Sequence, residues 1–187
     1  MPKSAYPIRK LNLSAIAKKA VARAVKRGVK NLDDIYLSAE RGARNSLTRA
    51  YNATTPAIID NRTRAGRRAV SRAANIQRVH DGMLHQHLTA AVLSRAVPVG
   101  AAEMTKGDLL IHGETIECKR TLRERQKQIF SDSNRVKAVV VRTIDAYDGR
   151  RNGFNYLRKH GATLVMPGGS VDALSLTEFA ARVLHKK

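Results

Sequence analysis

Apolar residues recur at helical spacing in the first half of the chain and gather into short runs in the second. Over Ser14 to Arg27, Ile16, Ala17, Ala20, Val21, Ala24 and Val25 fall on one side of a 3.6-residue period, and Gly28 supplies a stop. A second helix is predicted from Asp33 or Asp34 to about Tyr51, striped by Ile35, Ala39, Ala43, Leu47 and Ala50. Its acidic start suits the positive end of the helix dipole. Thr54-Thr55-Pro56 reads as a cap followed by proline at a first helical position. A further helix, from about Asn75 to Ala96, carries Ile76, Val79, Met83, Leu84, Leu88, Val92 and Leu93.

Beyond Pro98 the pattern shortens. Val97 to Ala102 is expected to form a first strand, and Leu109 to Ile111 and Thr115 to Cys118 flank a Gly113-centred break, the signal of a β-hairpin. Leu122 to Ser131 reads as a helix. Lys137 to Ile144, with Ala138-Val139-Val140-Val141 at its centre, reads as a strand buried on both faces. A helix from Asn152 to His160 stops at Gly161, Ala162 to Met166 gives a last strand, and Leu176 to Leu184 a last helix. The succession predicts a mixed α/β domain over residues 75–187, preceded by a helical region over residues 1–74.

Three charged residues lie in or beside the hairpin. Side chains alternate faces along a strand, so Glu117 and Lys119 share one side while Ile116 and Cys118 share the other. The position of Asp108 depends on loop parity. A loop of His112-Gly113 sets Asp108 opposite Glu117, one of Gly113-Glu114 sets it opposite Lys119, and either brings all three to one face; a three-residue loop without a bulge separates them. Two carboxylates and an ammonium so gathered suit divalent-metal phosphodiester hydrolysis. Asp108 and Glu117 offer hard oxygen ligands for Mg²⁺, with Mn²⁺ as a substitute. Lys119 would orient the attacking water or neutralise charge developing on the phosphorus centre.

Asp108, eight intervening residues, then Glu117-Cys118-Lys119 on a hairpin resembles the PD-(D/E)XK nucleases. Gly107 stands where the motif name has proline. The resemblance implies a restriction-endonuclease-like core: a helix, three antiparallel strands, a helix and a further strand, forming a central mixed sheet flanked by helices. It also implies that Asp108 and Glu117 are metal ligands and Lys119 the catalytic lysine. Family members often take another acidic ligand from the helix before the sheet, which makes Asp81 a candidate, with Glu103 a second. A glutamine on the helix after the motif lysine recurs in the family, which points to Gln126.

Charge changes the picture further. Among 187 residues, 35 Lys and Arg oppose 15 Asp and Glu, for a formal +20, of which residues 1–80 carry +14. Such an excess calls for a polyanionic partner. DNA contact is expected from Lys18, Lys19, Arg23, Lys26 and Arg27, and from Arg62, Arg64, Arg67, Arg68 and Arg72, the densest arginine cluster in the chain. With no Trp and few aromatics, backbone-phosphate recognition is a better match than rows of stacked bases. The lone Cys118 excludes an internal disulfide and reads as a small buried hydrophobe. His80, His85 and His87 lack the i, i+4 spacing of a helical zinc pair and read as structural.

The sequence thus predicts a Mg²⁺-dependent DNA endonuclease that forms no covalent enzyme intermediate. A homodimer would be needed where both strands of a duplex are cut. No run reaches transmembrane length and no signal peptide is evident, so the expected setting is the cytoplasm or nucleoid without membrane attachment, in keeping with a phage or mobile-element origin. An RNase of the same fold, a non-catalytic architectural nucleic-acid-binding protein and a membrane-surface or toxin-like role for a basic arm over residues 1–10 are the alternatives.

Overall fold

The computed structural model describes residues 11–54, 62–105, 108–119, 136–143 and 150–184. Helix α1, Leu13–Lys26, starts at Asn12, whose side chain accepts from the Ala15 N–H at 2.9 Å. It buries Leu13, Ala17, Ala20, Val21 and Ala24 and ends where Gly28 takes a positive φ of 84°. Helix α2, Leu32–Thr54, begins in the same way: Asn31 Oδ1 accepts from the Asp33 N–H at 2.8 Å and the Asp34 N–H at 3.3 Å. Both elements follow the predicted periodicity.

Helix α3 runs unbroken over Arg64–Leu93 from a Thr63 cap that accepts from the Gly66 N–H at 2.9 Å. Its 30 residues span about 45 Å. The expected start at Asn75 and the division at residues 74 and 75 therefore fall inside one helix. The reason is helix propensity: Ala65, Ala69, Ala73, Ala74 and the intervening arginines favour the helix although no residue from 64 to 79 is buried. Burial begins at His80. Residues 55–61, which include the proposed Pro56 start, lie outside the described residues.

Among the described residues five strands follow: β1 Ala102–Thr105, β2 Asp108–Ile111, β3 Glu114–Lys119, β4 Val136–Val141 and β5 Thr163–Val165. They lie side by side in chain order, β1–β2–β3 antiparallel and β3–β4–β5 parallel. The first strand starts later than the apolar run suggested. Pro98 and Gly100 instead form a turn, with the Ala101 N–H donating to Pro98 O at 3.0 Å and Gly100 at φ 86°. Helix α4, Arg150–Lys159, precedes β5, and a short helix α5, Leu176–Phe179, continues into a π-helical turn over Ala180–Leu184. The predicted helix over 122–131, with Gln126, lies outside the described residues.

The sheet separates two apolar layers. On one face Leu109, Ile111, Ile116, Cys118, Ala138 and Val140 join the buried residues of α1, α2 and α3 in a single core cluster. On the other, Val136, Val139, Val141 and Leu164 pack with Phe154 and Leu157 of α4. The N-terminal helices thus share the core of the sheet instead of forming a separately packed region. A buried carboxylate fastens the C-terminal segment to this body. Asp33 accepts from the N–H groups of Gly168 (2.8 Å), Leu176 (2.8 Å) and Thr177 (3.1 Å) and from the Thr177 hydroxyl (2.6 Å). Burial alone would raise its pKa, but the hydrogen bonds from Thr177, Gly168 and Leu176 hold it below the ordinary value.

Candidate active site

The hairpin register decides what the site contains. Ile111 pairs with Glu114, leaving a two-residue turn of His112 and Gly113 with φ of 51° and 78°. Two positive φ values are what a type I′ turn requires, and they match the twist of the flanking strands. Leu110 pairs with Thr115 and Leu109 with Ile116. One further step of the same register sets the Asp108 position across from Glu117, the first of the two parities considered from sequence. Across the next boundary Glu117 pairs with Val139 and Lys119 with Val141.

Paired residues share a face, so Glu117 and Lys119 lie with Val139 and Val141 on the side of the sheet away from α1, α2 and α3. Cys118, between them, is buried in the helix-side core, as its alternation predicted. Glu117 is only 9% exposed, and Lys119 Nζ lies 2.6 Å from its Oε2. A strand spaces residues i and i+2 about 6.8 Å apart, a gap the long lysine side chain closes. Lys119 is the last residue of β3, and its carbonyl accepts from the Arg142 N–H at 3.2 Å just past β4. The pair therefore sits at the carboxyl ends of two parallel strands, the edge where open α/β sheets take their ligands.

The other predicted site residues separate. Glu103 pairs with Leu110, which puts it on the Glu117 face, but it is exposed and two strands away, about 10 Å across the sheet. Asp81 is on the helix side, where its Oδ1 lies 3.5 Å from the Arg44 guanidinium. α3 covers the opposite face of the sheet from Glu117, so the structure does not bring Asp81 to the hairpin charges. Lys18, Lys19, Arg23, Lys26 and Arg27 are exposed on α1 and at its end, and Arg64, Arg67, Arg68 and Arg72 are exposed on the half of α3 that has no fully buried residue, with Arg62 exposed just before it.

A buried polar network on the helix side went unread in the sequence. The Tyr36 hydroxyl lies 2.6 Å from His85 Nδ1, and His85 Nε2 lies 3.1 Å from Val140 O. A carbonyl only accepts, so Nε2 carries the proton and the tyrosine donates to Nδ1. Burial drives the His85 pKa down to about 4, keeping the ring neutral, and raises that of Tyr36. Tyr51 and His80 form a similar pair at 2.8 Å. Glu40 joins Arg142 to Arg44, which in turn reaches Asp81. The available signals were Arg142 breaking an apolar strand and Tyr36 falling on the buried stripe of α2.

The chemistry of the donor set fits a hard divalent cation. Glu117 is a buried carboxylate, the hairpin register carried one step past Leu109 and Ile116 sets the Asp108 position across from it, and the single thiol faces away. A cation at Glu117 would share that carboxylate with Lys119. Among the described side chains no group of three His, Cys, Asp or Glu residues is assembled, and no described helix is long and apolar enough to cross a membrane. Compared with known proteins, the chain matches no family model and no curated sequence.

Proposed function

We propose that the chain is a divalent-metal-dependent nuclease whose reacting groups are Asp108, Glu117 and Lys119, acting on DNA held by its basic surfaces. The observation that carries this reading is the two-residue turn, whose register aligns the Asp108 position with Glu117 while Lys119 stands 2.6 Å from Glu117 on the same sheet face. Helix α3, the three antiparallel strands and β4 follow one another as the PD-(D/E)XK resemblance implies, with the helix expected between β3 and β4 falling outside the described residues, and this partial match supports a restriction-endonuclease-like core.

In this reading Glu117 and Asp108 hold Mg²⁺ or Mn²⁺ through hard oxygens. The bound cation supplies polarisation of a phosphate oxygen and acidification of water. Glu117, enclosed by the sheet, keeps its carboxylate oriented, and its contact with Lys119 fixes the ammonium at the strand end. Lys119 then meets the charge that develops on the phosphate or orients the attacking water. The exposed basic residues of α1 and α3 draw the polyanion to the protein through its phosphates without reading bases, and among the described residues none of them touches the reacting groups. Cutting both strands of a duplex would call for two copies of the chain.

One observation favours a second reading. Glu117 and Lys119 neutralise each other, as an ordinary ion pair on an architectural protein would. Cleavage of labelled duplex, branched and single-stranded DNA and of RNA, in Mg²⁺ or EDTA, separates the two. The nuclease reading expects cutting only with metal, reduced by about 100-fold or more in Asp108→Ala, Glu117→Gln and Lys119→Ala while binding persists. Binding without cutting by the native chain would establish the architectural reading, and RNA cut in place of DNA would reassign the substrate.

A further inference from the structure

The basic face of α1 and the Glu117–Lys119 pair lie on opposite sides of the sheet. α3 packs on the helix-side face through Leu84, Leu88, Val92 and Leu93, and α1 packs on α2 and α3. Lys18, Lys19, Arg23, Lys26, Arg27 and Lys30 are all exposed, and residues 11–32 contain no Asp or Glu. None of the six makes an ion pair among the described residues. Six cations left together, on and just beyond a helix whose other side is committed to the core, form a surface for a polyanion. From Lys18 to Arg27 the helix rises about 13 Å, the axial span of roughly four phosphates of one DNA strand.

A straight duplex lying on that surface cannot also reach Glu117 and Lys119. The sheet and the helix packed on it stand between, and DNA is too stiff to turn around so small a body within a helical turn or two. We infer that the α1 face is a second nucleic-acid site, holding a DNA segment different from the one offered to Glu117 and Lys119, so that one chain engages two segments at once. The inference rests on the nucleic-acid reading of the basic surfaces proposed above, but not on hydrolysis. Geometry then favours substrates in which two duplex segments meet or run side by side.

The test counts duplexes per chain. Native protein in EDTA, at about 50 mM salt, is titrated with a duplex of about 12 base pairs, roughly 40 Å long and too short to span both faces. Mass determination of the complexes gives the number of chains, so that a dimer with one site per chain is not mistaken for a chain with two. Two duplexes per chain are expected for the native protein. The charge-reversed variant Lys19→Glu/Arg23→Glu/Lys26→Glu is expected to hold one, with unchanged circular dichroism. A milder Lys19→Gln/Arg23→Gln/Lys26→Gln variant keeps the surface soluble and should weaken the same site.

The α1 site should also lose roughly 150-fold in affinity between 50 and 200 mM salt, the value for about four phosphate contacts. Any native count other than two overturns the inference. So does a reversed variant that still holds two, or one that holds none, since the last would mean a single shared path. Two duplexes bound with no cleavage in Mg²⁺ would leave this inference standing and remove the nuclease reading.

Discussion

Replacing Asp33 by alanine should unfasten the C-terminal segment from the helical layer. Its carboxylate serves three backbone N–H groups and one hydroxyl from residues more than 130 positions away in sequence. The Leu176 N–H is buried and would be left without an acceptor, a loss of about 2 kcal/mol. The Gly168 and Thr177 donors are partly open, so water replaces most of what they lose, at about 0.5 kcal/mol each. The expected cost is therefore about 3 kcal/mol, and about half of that for Asp33→Asn, which keeps one acceptor oxygen.

The acid dependence follows from the depressed pKa of Asp33. Its contribution is fully present above the unfolded carboxylate pKa of about 3.9 and is lost as pH falls through the lower folded value. The gap between native and Asp33→Ala should be constant between about pH 5 and 7 and should close below about pH 4. The chain has no Trp, so urea unfolding is best followed by circular dichroism. A variant within about 0.5 kcal/mol of native at neutral pH, or a gap undiminished at acid pH, would refute the clasp.

Other consequences are equally direct. His85 has its pKa depressed to about 4, so the stability it contributes is complete above about pH 6.5 and lost as pH falls towards 4; ring NMR titration should find it neutral down to that range. Tyr36→Phe removes the hydroxyl donated to His85 and should cost about 1–3 kcal/mol in urea unfolding. In the hairpin turn, Gly113→Ala forces a side chain onto a φ of 78° and should cost about 1–2 kcal/mol, whereas His112→Asn should be neutral or slightly stabilising. A glycine inserted between His112 and Gly113 would alter the pairing parity and should abolish metal-dependent cleavage while the chain still binds DNA, with a denaturation midpoint above assay temperature as the control.

Helices α1 and α2, the hairpin, β4, α4 and β5 were legible because each carries a strong local signal: a cap, a stripe, a turn pair or an apolar run. The Asp108 register was legible only as a choice between parities, which His112 and Gly113 resolve by adopting positive φ. The length of α3 was hidden, because the half-buried face of its first part is made of Gly66, Ala69, Ala73 and Ala74, residues too small to mark a hydrophobic period. β1 was misplaced because Val97 and Val99 gave an apolar run to what became a turn. Asp81 illustrates a different limit of local reading: a sequence says which face of a helix is apolar, but not which side of a sheet that helix will cover. Asp33 and the Tyr36–His85 pair were hidden for the same reason, since their partners come from distant parts of the chain.

Helix α3 is anchored at one end and largely bare at the other. Leu84 to Leu93 are locked on the sheet, while the arginines lie on about 24 Å of the same unbroken rod. Whatever takes hold of that bare end receives a handle and not a tether. A flexible linker would let the body sample many orientations and would raise only its effective concentration near a bound polymer. A rigid rod transmits direction as well, so a phosphate backbone gripped by Arg64, Arg67, Arg68 and Arg72 would also set how the sheet is turned relative to it.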